Sequence, residues 1–161
     1  MRRFRAGGFT LLEVLVALFV LAVGVIGAAA AQNKAAQTRL ASAQLSAAVA
    51  LAHALAEGMA ANPAQLALPD TDNVYLQDAG PPWHCADACT PAQLAATERD
   101  DAAARAARSF PGGQVRVCRD TLPAPLAWDC AGGLDAPLVV KIGWRAPDFV
   151  PMTAVPVPEA P

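Results

Sequence analysis

Aromatic side chains make up only 6% of this 161-residue chain, tyrosine occurs once, and charged residues account for 16%. So few aromatics leave little large apolar surface for a self-sufficient core. Scarce charge beside 55% hydrophobic residues excludes a disordered chain, which is apolar-poor and charge-rich. An excess of positive charge is missing as well. The formal net charge is −2 and the pI about 5.6, which argues against a nucleic-acid binder. Walker-type phosphate loops, Gly-x-Ser-x-Gly elbows and His-Glu-x-x-His pairs are absent from the sequence, so neither an enzymatic role nor a cofactor is expected. Proline is missing before Pro63, and one long apolar run has no successor. What the chain does have is alanine, 39 of 161 residues, so much of its apolar content is small.

That content is concentrated near the N-terminus. Residues 9–31 form a 23-residue apolar run with one ionisable side chain, Glu13. At about 1.5 Å per residue it spans roughly 34 Å, enough to cross a ~30 Å hydrocarbon layer. Arg2, Arg3 and Arg5 precede it, and the positive-inside rule leaves them in the cytoplasm, with residues 32–161 outside after a single crossing. A secretory signal peptide would have a shorter apolar stretch, although Ala28 to Ala31 could serve as its cleavage site. Neither that reading nor a plain signal anchor explains Gly7-Gly8 ahead of the run, or a carboxylate a few residues into it.

Gly8-Phe9-Thr10-Leu11-Leu12-Glu13-Val14-Leu15-Val16-Ala17-Leu18 resembles the N-terminal signature of type IV pilins and type II secretion pseudopilins. The resemblance implies cleavage between Gly8 and Phe9 by a prepilin peptidase and N-methylation of Phe9. It also implies an apolar helix that serves first as membrane anchor and then as filament core. Cleavage would place the Phe9 amine one helical turn from Glu13, whose carboxylate can favour its own helix terminus or neutralise a neighbouring subunit's amine. Major pilins of the family usually carry a proline inside this helix. Here Gly24 and Gly27 are the weak points instead, each unfavourable by about 1 kcal/mol relative to alanine.

The helical pattern continues to Met59, and Asn62-Pro63 predicts its end, giving one helix over about residues 9–61. Leu45, Val49, Ala52, Leu55 and Met59 are expected to face a small domain. His53 reads as an ordinary helix residue without a metal partner. Residues 63–90 read as a loop with a short strand at Val74, Tyr75 and Leu76. Thr90-Pro91-Ala92-Gln93 has the form of a capping box and predicts a helix to about Arg108, with Leu94 on its apolar side and Asp101 and Arg105 paired one turn apart. Alternation predicts strands at 114–119 and 138–144, the second placing Leu138, Val140, Ile142 and Trp144 on one face. The proline-rich end reads as extended or disordered. The expected fold is α+β and pilin-like: a long N-terminal helix packed on a small antiparallel sheet. Its divisions are a leader (1–8), a transmembrane part of the helix (9–31), a periplasmic part (32–62), a small periplasmic domain (63–146) and a tail (147–161).

Cys85, Cys89, Cys118 and Cys130 all lie in the exported part, and their even number favours disulfides. Three connectivities are open; sequence proximity favours Cys85–Cys89 with Cys118–Cys130. Zinc held by His84 and the cysteines is the alternative, disfavoured because Cys118 and Cys130 stand too far apart for a tight ligand pair. A nucleophile built on His84 and Cys85 lacks an orienting third group.

Within the exported part, Met59 and Asn62-Pro63 resemble the end of the long helix in PilV-type minor pilins, the type IV pilus modification proteins. Cys89-Thr90-Pro91-Ala92-Gln93-Leu94-Ala95, Asp100 and Phe110-Pro111-Gly112-Gly113 also look like that group's elements. Gly58 stands where the group usually has arginine, and the aromatic usual after the acidic residue is not evident. The resemblance implies a minor pilin that joins other minor pilins, the major pilin and the inner-membrane assembly platform to initiate pili. Twitching motility and adhesion would follow, with the chain in the inner membrane or at the pilus tip. A minor pseudopilin of type II secretion is the alternative, and a membrane-anchored periplasmic enzyme a more distant one. Without the leader, nine Lys/Arg face fourteen Asp/Glu, which disfavours binding to nucleic-acid phosphates.

Overall fold

A computed structural model of the chain describes residues 10–77, 88–122, 127–145 and 152–158. Helix α1 runs over Leu11–Ala60 and a one-turn α2 over Pro63–Leu66. A 3-10 turn at Val74–Leu76 and α3 (Pro91–Ser109) follow. Strands β1 (Gln114–Arg119), β2 (Leu138–Gly143) and β3 (Met152–Pro156) complete the described chain. They form one antiparallel sheet in the order β1-β2-β3. This is the expected α+β, pilin-like architecture. Two compact units are distinguished, residues 1–42 and 43–161.

In the first unit every described residue of α1 is exposed, Leu11 and Phe19 by 79% and 70%. The absence of proline lets this stretch stay helical, and alanine and leucine favour it.

In the second unit the end of α1 buries Ala48, Ala52, Leu55, Ala56 and Met59 at helical spacing. Leu45, expected in that stripe, is 47% exposed, so the buried face begins one turn later. His53 is exposed. Helix α3 starts as its sequence predicts: the Thr90 hydroxyl accepts from the Gln93 N–H, and the Gln93 side chain accepts from the Thr90 N–H. Its buried face is Ala95, Ala96, Ala102 and Ala106 with Arg99, while Leu94 turns partly outward. Asp101 and Arg105 are paired at the surface at 4.0 Å.

The helix then stops in a glycine turn. Gly112 has φ +61°, and a Cβ on Gly113 would lie 2.2 Å from the Ala106 carbonyl oxygen. Phe110 at this corner stacks on Trp144, with ring centroids 5.1 Å apart.

Val140, Ile142 and Trp144 join the core beneath the helices, with Leu138 packed against it, the face that alternation predicted. The opposite face is buried too. Val139 and Lys141 are wholly enclosed, and Trp128 lies where a side chain on Gly143 would go. Residues 127–136 cover that side, so β2 is a central strand buried on both faces.

Three expectations are corrected. Val74, Tyr75 and Leu76 form a 3-10 turn rather than a strand: Asn73 caps it by accepting from the Tyr75 N–H. The Arg99 guanidinium then takes the Val74 and Gln77 carbonyls that a strand would have used for pairing. Residues 152–156 are no loose tail but the third strand, and Thr153, Val155 and Val157 are buried. Pro63 also opens a short helical turn inside the stretch read as loop.

Candidate functional site

The N-terminal turn of α1 brings together the residues that the sequence singles out. Thr10 precedes the helix, its hydroxyl accepting from the Glu13 N–H at 3.3 Å while its carbonyl accepts from the same N–H at 3.1 Å. Thr10 therefore occupies the N-cap and Glu13 the third helical position, the Thr-x-x-Glu order of a capping box. The sequence reading passes over this cap, although the same spacing reveals the one on α3. A carboxylate in the first turn also meets the positive end of the helix dipole. Gly8 and Phe9, the expected cleavage pair, lie outside the described residues.

Beyond Glu13 the helix presents apolar side chains all round. Leu15, Val16, Leu18, Leu21, Val23 and Ile26 are each more than half exposed. The helix is long and apolar enough to cross a membrane. A water-exposed helix of this character is unfavourable, so lipid or neighbouring apolar helices are what its surface suits.

The other end of α1 is held by polar contacts. Asn62, nearly enclosed, donates to the Pro91 carbonyl at 2.8 Å and to the Tyr75 hydroxyl at 3.4 Å. Tyr75 in turn donates to Glu98 Oε2 at 2.5 Å. Burial first, and the Glu98 carboxylate second, push the Tyr75 phenol above its ordinary pKa. Gly58 makes room for this group: a Cβ there would be 3.0 Å from Glu98 Oε1. An arginine at this position would enter the space that the Glu98 carboxylate fills.

The disulfide Cys118–Cys130 is formed, with the Cα atoms 6.2 Å apart. Cys89 is disulfide-bonded as well; Cys85 and His84 fall outside the described residues. Bonding of Cys118, Cys130 and Cys89 removes three of the thiolates that a zinc site would need.

Next to the disulfide, the Lys141 ammonium is buried and donates to Asp120 Oδ2 and to the Ala127 and Asp129 carbonyls at 2.8 and 2.9 Å. Asp120 also accepts from the Thr121 and Ala131 N–H groups. The Lys141 hydrogen bond, with these backbone donors, holds the Asp120 carboxyl below its ordinary pKa despite the opposing effect of burial. Arg119 grips Asp70 with three contacts of 2.9–3.0 Å and donates to the Ala136 carbonyl. Neither ion pair is visible from sequence spacing. Their partners are 21 and 49 residues apart.

Residues 3–29 match the family described as Prokaryotic N-terminal methylation motif. The match covers Arg3 and Arg5, the Gly8-Phe9 junction and the apolar stretch of α1 up to Ala29. It supports a pilin-like chain, anchored by one membrane-crossing helix, whose N-terminus is a substrate for prepilin peptidase and whose context is pilus or secretion-filament assembly. Proteins with this motif are structural rather than catalytic. No curated protein and no solved structure matches the chain.

Proposed function

We propose that this chain is a minor pilin of the PilV type, which joins other minor pilins to start type IV pilus assembly and thereby serves twitching motility and adhesion. The observation that carries the reading is the methylation motif over residues 3–29, which runs into a helix from Leu11 whose apolar side chains have no cover among the described residues. Cleavage after Gly8 frees the Phe9 amine, which is then methylated, and the helix remains as the membrane anchor. Glu13, one turn away, neutralises an α-amine of a neighbouring subunit as the helices slide together. The domain from residue 63 onward lies in the periplasm, on the inner membrane before assembly and at the pilus tip afterwards, and Cys85–Cys89 closes its second disulfide. Met59, Asn62-Pro63 and the Thr90-Pro91-Ala92-Gln93 start of α3, the positions that resemble PilV-type minor pilins, support this reading, and Asn62 is joined to the Pro91 carbonyl by a hydrogen bond.

Deletion of the gene tests the reading. Loss of surface pili with secretion intact is the expected result; loss of exoprotein secretion with pili intact would make the chain a type II pseudopilin instead. In the complemented strain, Gly8→Leu should leave uncleaved precursor in the membrane. Glu13→Ala should be inserted and cleaved normally, yet be depleted from sheared filaments.

A further inference from the structure

The two edges of the sheet are finished differently. The Val157 N–H donates to the Leu138 carbonyl, and the β2–β3 register continues this alternation, so Thr153 and Val155 turn their backbone groups inward. Met152, Ala154, Pro156 and Pro158 face outward, and the two prolines offer no N–H there. This edge is blunted against pairing. On the other side the Asp120 N–H donates to the Pro137 carbonyl, which places Gln114, Arg116 and Cys118 inward. Val115, Val117 and Arg119 therefore turn their backbone groups outward. The Arg119 carbonyl is capped by the Gly132 N–H at 3.2 Å. Among the described residues nothing pairs with the outward groups of Val115 and Val117.

This edge lies along a cleft of about 430 Å³ whose walls include Leu76, Arg116, Val117, Cys130, Gly133 and Leu134. Leu134 is 80% exposed beside it. Arg116 is nearly half exposed; it donates to the Trp128 carbonyl at 3.3 Å, and its one carboxylate neighbour among the described residues, Asp129, is 3.7 Å away and itself almost fully exposed.

We infer that the β1 edge receives an extended strand from a different polypeptide, one that sets an acidic residue opposite Arg116 between two apolar residues opposite Val115 and Val117. The backbone supplies the hydrogen bonds, and the alternation of β1 supplies the selection, since Val115 and Val117 point to the core side and Arg116 to the other. A second copy of β1 does not fit. Antiparallel pairing centred on Arg116 would oppose two arginines, and pairing shifted toward the C-terminal end would meet residues 132–134. The inference concerns the domain alone and holds whichever filament the chain serves.

The test uses the detergent-solubilised full chain and two fluorescein-labelled peptides, acetyl-Gly-Ser-Thr-Val-Glu-Val-Thr-Gly and its counterpart with Lys for Glu. Fluorescence anisotropy should favour the Glu peptide by about fivefold, as expected for an opposed pair against a like-charge pair. Arg116→Glu should reverse the preference. Val117→Pro removes an outward N–H that β2 does not use and should weaken binding about tenfold. Pro156→Val on the opposite edge should change nothing. Equal binding of the two peptides, no binding, or an Arg116→Glu variant with unchanged preference would overturn the inference. Self-association of the parent chain that Val117→Pro abolishes would overturn it in favour of a second copy.

Discussion

The first turns of α1 and its last three both draw mainly on small and aliphatic residues, leucine and alanine in both, in one continuous helix. Leu18 is 57% exposed and Met59 not at all. Sequence hydropathy therefore does not decide which part of the helix is core; the company each part keeps does. The early part has apolar side chains on every side and matches a membrane or a bundle of like helices. The late part has one stripe, narrow enough for α3 and the sheet to cover. A long helix with two such surfaces can exchange lipid for sister helices at one end without disturbing the folded domain at the other.

The largest expected effect breaks this symmetry directly. Met59→Ala should destabilise the domain by about 2–5 kcal/mol, the range for emptying a buried aliphatic site. Leu18→Ala removes as much apolar volume and should leave the domain's denaturation midpoint in detergent unchanged. Equal losses would mean that the first part of the helix is part of the domain's core. Next comes the disulfide. Replacing both Cys118 and Cys130 by serine opens a short loop and should cost about 3 kcal/mol in a denaturant titration, again with no change in membrane anchoring.

Much of this division was legible in the sequence, and the gaps have physical causes. The Thr90 cap, the face of β2 made by Val140, Ile142 and Trp144, and the end of α1 near Asn62 rest on local chemistry, so local patterns found them. The burial of the other face of β2, with Lys141 on it, was not read from the sequence. The Lys141 ammonium is satisfied by Asp120, Ala127 and Asp129, whose arrival depends on the chain folding back. β3 was hidden by its prolines, which are tolerated because their missing N–H groups face away from β2. For the N-terminal site the motif was plain from residue types alone, while the Thr10 cap needed coordinates to be noticed.

Asp120 sharpens the comparison through pH. Its carboxyl is depressed in the folded state, so its stabilising contribution is complete above the ordinary carboxylate pKa and is lost as pH falls through the lower folded value. The melting temperature of the solubilised chain should therefore fall as the pH is lowered below about 4. Asp120→Asn should start less stable at neutral pH, because the buried Lys141 ammonium has lost its counter-charge, and should show a flatter acid limb.

The smallest effect is the most local. Tyr75 is the only tyrosine in the chain, so tyrosinate absorbance reports on the junction where α1 ends and α3 begins. Its raised pKa means that the folded state favours the neutral phenol. That stability is fully present below about pH 10, the unfolded value, and is lost as pH climbs toward the folded one. Absorbance should stay flat through the pH at which a free phenol ionises and rise only at higher pH or on unfolding. Tyr75→Phe removes the donor to Glu98 and the acceptor for Asn62 and should cost about 1 kcal/mol, with the Asn62–Pro91 hydrogen bond still in place. Because Glu98 then faces Gly58 without its phenol partner, Gly58→Arg should recover stability when combined with Tyr75→Phe, by pairing with that carboxylate. In the parent chain the same arginine should give no gain, since it meets the Glu98 carboxylate that Tyr75 holds in place. A gain of equal size in both backgrounds would mean that Tyr75 and Glu98 do not act together at the end of the helix.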